Sequence, residues 1–201
     1  MERETQRQTA LRAATETRRK IIVHIATSAD GYIARPDGNV DWLNDPRLAG
    51  DYGMAAFFRS IDTILWGRKT YDFALTMGGL GICGPRVKNY VFSKHPPAEQ
   101  APDAEFVLEP VPAFAKRLRA GSGKHIWMMG GGVLIGSFLD ANQIDEFIIH
   151  VIPVFIGEGI PLMQPRHRSV PLTLLSSRRY ADGVVRLHYQ VLPTPHDGVT
   201  A

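Results

Sequence analysis

Three places in the chain combine glycine, hydroxyl and cationic residues in a way that could hold phosphate. The apolar run His125-Ile126-Trp127-Met128-Met129 enters Gly130-Gly131-Gly132, after which Val133, Leu134, Phe138 and Leu139 are spaced to share one helical face. A strand, a glycine turn and a helix in that order aim free backbone N–H groups at an anion. Glycine serves such a turn because a Cβ would block close approach of a phosphate to the backbone. Gly67-Arg68-Lys69-Thr70 repeats the layout: a short strand, Ile61 to Trp66, stops at glycine, and a helix begins with two cations and a hydroxyl in its first turn. Cations at a helix N-terminus oppose the macrodipole, so the placement asks for a compensating anion. Ser93-Lys94, at the end of another strand, is a third hydroxyl-plus-cation pair. If these strand ends are adjacent they can clamp a pyrophosphate and a ribose phosphate, and the chain reads as a nucleotide binder. The trio is not the dinucleotide fingerprint G-x-G-x-x-G, because after Gly130 and Gly132 the next glycine is Gly136, one residue late. Two further acids sit in turns. Glu158, between Gly157 and Gly159, is placed to meet a polar substrate, and Asp30 belongs to the turn Ser28-Ala29-Asp30-Gly31.

The elements that must position these residues follow from patterning. Residues 1–19 are polar, carry no aromatic side chain and read as a flexible basic extension. Six Arg/Lys against three Glu in the first twenty residues account for the whole net charge of +3, so the body gives no reason to expect nucleic-acid binding. The domain proper spans 20–192, with 193–201 a Pro/Gly-containing tail. Lys20 to Thr27 is the first strand, where His24 alternates with apolar neighbours and reads as a satisfied core histidine. Tyr32-Ile33-Ala34 continues as strand, and Arg35 to Asn39 is a loop with strong turn chemistry. Residues 51–60 read as a helix with Met54, Phe57 and Phe58 facing in. Lys88 to Ser93 and Phe106 to Leu108 are short strands, and Val111 to Ala120 is an amphipathic helix closed by Gly121. Glu146 to Ile156 is a long buried strand, and Pro171 to Leu192 is a hairpin around Ala181-Asp182-Gly183. Strands alternating with helices and then finishing on a hairpin argue an α/β domain with a mixed sheet.

Composition bounds the function. The chain has 201 residues, 44% hydrophobic and 21% charged, ordinary for one domain with one core. No apolar run approaches the ~20 residues a bilayer span needs, and residues 1–20 lack the apolar stretch of a secretory signal. The lone Cys83 excludes an internal disulfide and a multi-cysteine zinc site, leaves no metal centre to expect, and fits a reducing cytoplasm. Cys83 itself reads as incidental.

Taken in order, ATSADGYIARPDGNVDWL, WGRKTYD, VFSKHP, the glycine trio and FIGEGIPLM resemble the dihydrofolate reductase-like superfamily. Within it they are most similar to the reductase domain of bifunctional riboflavin-biosynthesis deaminase-reductases and their stand-alone relatives. The resemblance runs from about Lys20 to Leu192. It implies a dihydrofolate reductase-like three-layer α/β fold, with a mixed, mostly parallel central sheet of about eight strands, flanking helices and a C-terminal hairpin. It implies an NADPH cofactor. Gly67, Arg68 and Thr70 match the phosphate-binding helix start, Ser93 and Lys94 the segment near the adenosine ribose, and Gly130, Gly131 and Gly132 the pyrophosphate loop. The resemblance also implies that Ala26 and the Tyr32-Ile33 segment border the nicotinamide. Because a 2′-phosphate needs a cation, Arg68 and Lys94 favour NADPH over NADH.

On the substrate side, dihydrofolate reductases place a carboxylate at the opening of the first helix after the mobile loop. Asp41 and Asp45 are the nearest equivalents, and spacing does not choose between them. The expected activity is NADPH-dependent hydride transfer to a small pterin- or pyrimidine-like heterocycle, with Asp41 ahead of Glu158 and Asp30 among candidate acids. Closure of the loop Arg35 to Asn39 is expected to carry Asp41 and Trp42 over the nicotinamide. The alternative is a nucleotide-binding protein of the same fold without turnover. A homodimer is expected through the sheet near Glu146 to Ile156 and the hairpin, with no nucleic-acid or membrane partner.

Overall fold

The computed structural model of the chain describes residues 18–78, 86–97 and 103–193. Cys83, most of the basic extension and the end of the tail lie outside them. The described residues form ten strands and four helices: β1 (Ile21–Ser28), β2 (Tyr32–Ala34), α1 (Met54–Ser60), β3 (Ile61–Gly67), α2 (Arg68–Thr76), β4 (Lys88–Phe92), β5 (Glu105–Val107), α3 (Val111–Ala120), β6 (His125–Gly130), α4 (Gly132–Asp140), β7 (Glu146–Ile152), β8 (Ile160–Pro161), β9 (Leu172–Arg179) and β10 (Val185–Val191). A short 3-10 turn, Asp41–Leu43, lies between β2 and α1.

The main sheet has eight strands in the order β5-β4-β3-β6-β1-β7-β10-β9. The first six run parallel, and the hairpin β9–β10 joins β7 antiparallel. This is the mixed, mostly parallel sheet with a C-terminal hairpin that the motifs imply. β1 lies at the centre and is covered on both faces, which is why it reads IIVHIATS rather than as a clean alternation. One core cluster, with Ile21, Val23, Phe114, Ile126 and Phe138, packs α3 and α4 on one face. Another, with Ile22, Phe57, Trp66, Tyr71 and Trp127, packs α1 and α2 on the other. Phe114 and Phe138 are wholly buried, each worth roughly 1.5–3 kcal/mol in water-avoiding area. A smaller cluster joins Trp42 to Ile152 and Val184.

Three expectations need correction. β7 ends at Ile152 because Pro153 follows, and proline cannot donate to a sheet ladder. β7 is also interior, flanked by β1 and β10, so the exposed edge is β9, whose eight residues are all exposed. The basic extension does not reach Arg19. That side chain is buried, donates from Nε to the Lys124 carbonyl at 2.7 Å and from Nη2 to Asp62 and Thr63. Arg18 pairs with Asp145 at 3.2 Å. Both arginines therefore belong to the folded body.

Candidate functional site: a cleft across the strand ends

In a parallel sheet the carboxyl ends of the strands open on one side, where ligands collect. Here β4, β3, β6, β1 and β7 are consecutive neighbours, so the three glycine and hydroxyl segments stand side by side. They line one cleft of about 1760 Å³ together with Ala26, Ile33, Gly67, Arg68, Thr70, Ser93, Lys94, Gly131 and Gly132. Gly130 closes β6 directly beneath it at φ +101°, a conformation that favours glycine.

The two strand–glycine–helix units touch. A Cβ on Gly67 would stand 3.2 Å from the Gly130 carbonyl oxygen and 3.3 Å from the Gly131 nitrogen. A Cβ on Gly131 would stand 3.2 Å from Thr70 Oγ1 and 4.0 Å from Ile33 Cδ1, two residues of the cleft wall. The missing side chain at Gly131 thus leaves a cradle between the start of α2 and the start of α4. Val133, assigned from its spacing to the inward face of α4, is instead 65% exposed and lines the cleft. Leu134, Phe138 and Leu139 take the buried face as expected.

Cations ring this end of the cleft, with Arg68, Lys69 and Lys94 on its wall. Arg68 donates from Nε to both oxygens of Asp72 at 2.8 Å, one turn along α2, and its guanidinium lies 5.6 Å from the Phe106 ring centre. The carboxylate raises the Arg68 pKa and supplies part of the compensating anion that its placement calls for. Ser93 turns the chain after β4, its hydroxyl accepting from the His95 N–H at 3.2 Å.

The expected acids are elsewhere. Asp41 is half exposed and accepts from Arg35 Nε at 2.6 Å, a contact that holds its carboxyl below the usual range. With Asp45 it lines a smaller, adjoining cavity of about 460 Å³, which shares Leu48 and Ile152 with the main cleft. Asp45 accepts from the Arg47 side chain and backbone, which pushes its pKa down to about 2. Both are poor proton donors near neutrality. Trp42 is buried against Ile152 and Val184 rather than poised to swing over the cleft. Pro36, Asp37 and Gly38 of the adjoining loop do line it. Asp30 fixes its turn to the segment after β7: its carboxylate accepts from the Gly157 N–H at 2.8 Å and from the Ile156 N–H, and hydrogen bonding, foremost with Ser28, lowers its pKa. Glu158 is exposed and does not line the cleft.

What the sequence reading passed over is a histidine pair. His24 and His150 both line the cleft and are 4% and 5% exposed. Their rings stack at 4.9 Å with an interplanar angle of 29°. Phe57 meets His24 edge-on at 4.2 Å, and Trp127, whose Nε1 donates to the His24 carbonyl at 2.9 Å, stands 6.5 Å away. His24 is not the satisfied core histidine its alternation implies, because neither ring nitrogen has a partner among the described residues. An unmet buried group of this kind costs about 1–3 kcal/mol. Burial first, then the neighbouring His150, Arg186 and His188, lower its pKa to about 3. Burial likewise lowers that of His150, whose Nε2 lies 3.2 Å from the Tyr52 carbonyl and so carries the proton.

Comparison with known proteins agrees with this architecture. The RibD C-terminal domain family matches residues 93–186, from the end of β4 into β10. The uncharacterized protein YwjB of Bacillus subtilis (strain 168) is 37% identical over 171 residues, covering 85% of this chain and 97% of its own. A solved protein named for riboflavin biosynthesis, from Shewanella sp. PV-4, superimposes with a TM-score of 0.74 at 28% identity, over 87% of this chain and 99% of the other. The Enterococcus faecalis dihydrofolate reductase complexed with NADP(H) shares the fold at a TM-score of 0.60 and 14% identity, over 87% of this chain and 97% of the other.

Proposed function

From the premise that the chain belongs to the RibD C-terminal domain family, whose structural relatives include reductases, we propose that it is an NADPH-dependent reductase of a small heterocycle. The observation that carries this reading is the cradle at Gly131, where the starts of α2 and α4 meet at the cleft wall with no Cβ between Thr70 and Ile33. Backbone N–H groups at two helix starts, the Thr70 hydroxyl and Ser93 suit a pyrophosphate. Arg68 and Lys94 suit a ribose phosphate, the charge by which NADPH differs from NADH. NADPH supplies a hydride when bound. The protein's share is to seat the nicotinamide by Ala26 and Ile33 and to close a flat acceptor between apolar walls. The deep, aromatic end of the cleft favours a reductase over a nucleotide binder without turnover, which has no use for a second seat beyond the phosphates.

The test is a nicotinamide fluorescence titration with NADPH and with NADH. NADPH is expected to bind at least about tenfold more tightly, and Arg68→Ala to erase most of that difference, since a charge-assisted contact contributes about 1.5–3 kcal/mol. Arg68→Ala should leave the fold unchanged, because the ion pair it breaks is half exposed. Equal affinity of the unmodified protein for both nucleotides would sink the assignment.

A further inference from the structure

The phosphate end of the cleft is rich in cations and glycine, whereas its deep end holds the imidazole pair. His24 and Ala26 are alternate residues of β1, so their side chains share the cleft face of the sheet. His150 stands directly across from Ala26 in register on β7. The acids that line the cleft, Asp37, Asp72 and Glu109, come from the loop after β2, from α2 and from the segment after β5. None belongs to β1 or β7. The charged neighbours of the pair lie on β10, where Arg186 is in register with His150 and His188 bonds Glu146 at 2.9 Å.

We propose that His24 and His150 form the recognition floor for the substrate ring, and that they make this site select an uncharged heterocycle over its protonated amino analogue. This rests on the reductase reading. His24 has a donor and an acceptor nitrogen and, among the described residues, no protein group to use either. His150, protonated at Nε2 toward Tyr52, keeps Nδ1 as an acceptor. Rotation about the Cβ–Cγ bond, a broad torsion in histidine, turns a nitrogen of His24 from its dry seat toward a bound ring. A neutral ring with an N–H beside a C=O offers the matching acceptor and donor. Trp127 supplies flat apolar surface at the cleft wall, and Phe57 backs His24 edge-on. A protonated ring would instead need a carboxylate, and it would meet the positive field of Arg186. Glu146, the acid of β7, is already taken by His188 and Lys20 and does not line the cleft. His24 is thus the specificity-determining residue of the deep end, and its dry, unpartnered nitrogens are the mark of it.

The test uses two matched probes, pteridine-2,4-dione and pteridine-2,4-diamine, titrated by tryptophan fluorescence with and without NADPH. The unmodified protein should bind the dione at least about tenfold more tightly than the diamine. His24→Leu should remove that preference through weaker dione binding, and His24→Gln, which restores a donor and an acceptor, should regain most of it. The His24 ring nitrogen resonances should shift on adding the dione and not on adding NADPH alone. NADPH affinity should stay within about twofold in both variants, because the phosphate cradle is untouched. The proposal is overturned if the unmodified protein does not bind the dione, if it prefers the diamine, or if His24→Leu keeps the preference. Loss of NADPH binding by the unmodified protein would count against the cofactor reading, and the two probes would still decide the role of His24.

Discussion

Acidification should weaken this fold earlier than its carboxylates alone would, with His24 as the main cause. The folded-state pKa of His24 is lowered to about 3 from an ordinary 6.5, by burial and then by His150, Arg186 and His188. Between those two values the unfolded chain binds a proton that the folded chain refuses, so stability rises with pH across the window and falls as pH drops through it. Going from pH 7 to pH 5, this one group removes about 2 kcal/mol, at 1.36 kcal/mol per pKa unit. In a domain of this size that corresponds to a fall in Tm of roughly 4–8 °C. His150 and His125, both lowered by burial, push the same way. Glu146, held at about 2 by the contacts of His188 and Lys20 against its own burial, adds its loss only below the ordinary carboxylate range. Calorimetry of the unmodified protein and of His24→Gln at pH 7 and pH 5 separates these contributions. The variant should lose markedly less Tm between the two pH values, whatever its absolute stability. An identical drop in both proteins would refute the claim that His24 is dry and neutral in the fold.

Four other outcomes follow from the geometry. Gly131→Ala should keep its Tm within about 2 °C, because the clashing Thr70 hydroxyl can turn away, yet weaken NADPH binding by about tenfold or more in the fluorescence titration. Gly132→Ala should instead unfold early, since its Cβ would lie 2.6 Å from the backbone oxygen of Pro161; equal behaviour of the two variants would count against the cradle. Asp41→Asn should leave steady-state turnover near normal, because the exposed Arg35–Asp41 pair lies outside the main cleft, and a collapse of turnover with intact folding would restore Asp41 as a catalytic acid. The exposed edge strand β9, with Leu172, Leu174 and Leu175 uncovered, should pair two copies, so light scattering at micromolar concentration is expected to give a dimer and Leu175→Arg a monomer.

The strand–glycine–helix side of the cleft was legible because its pattern is local in sequence. Gly67-Arg68-Lys69-Thr70 and Gly130-Gly131-Gly132 each hold a strand end, a turn and a helix start within a few residues, and backbone amides need no distant partner to be useful. Their adjacency stayed open in the sequence and appears only in the strand order, where β4, β3 and β6 are neighbours. The acid side was not legible, because the state of a carboxylate depends on its partner. Asp41 has the position of a helix-opening acid, but Arg35 takes it, and the 3-10 turn it opens is only three residues long. The strand reading of Glu146 to Ile156 ran on through apolar residues and gave too little weight to Pro153. His24 carried the deepest error. Alternation with apolar neighbours reports that a side chain points inward and says nothing about whether its nitrogens are met there. His150, Phe57 and Trp127, which decide that, come from three other elements.

The same division explains why the two halves of the cleft differ in kind. Phosphate is a constant of a nucleotide cofactor, so it can be met by main-chain groups that any sequence supplies wherever a strand, a glycine and a helix follow one another. A heterocycle is met by side chains, and only the face of the sheet can offer several of them at fixed spacing. In this chain that face carries His24, Ala26, His150 and Arg186 on β1, β7 and β10, the point where the parallel strands give way to the antiparallel hairpin. Ala26 leaves room where a larger residue would fill the seat, and the imidazoles on either side remain as the polar atoms of the floor. On the proposed reading, changing the residues at 24 and 150 should therefore redirect which ring is accepted and leave nucleotide affinity, assigned there to Gly67, Gly131 and Arg68, unchanged.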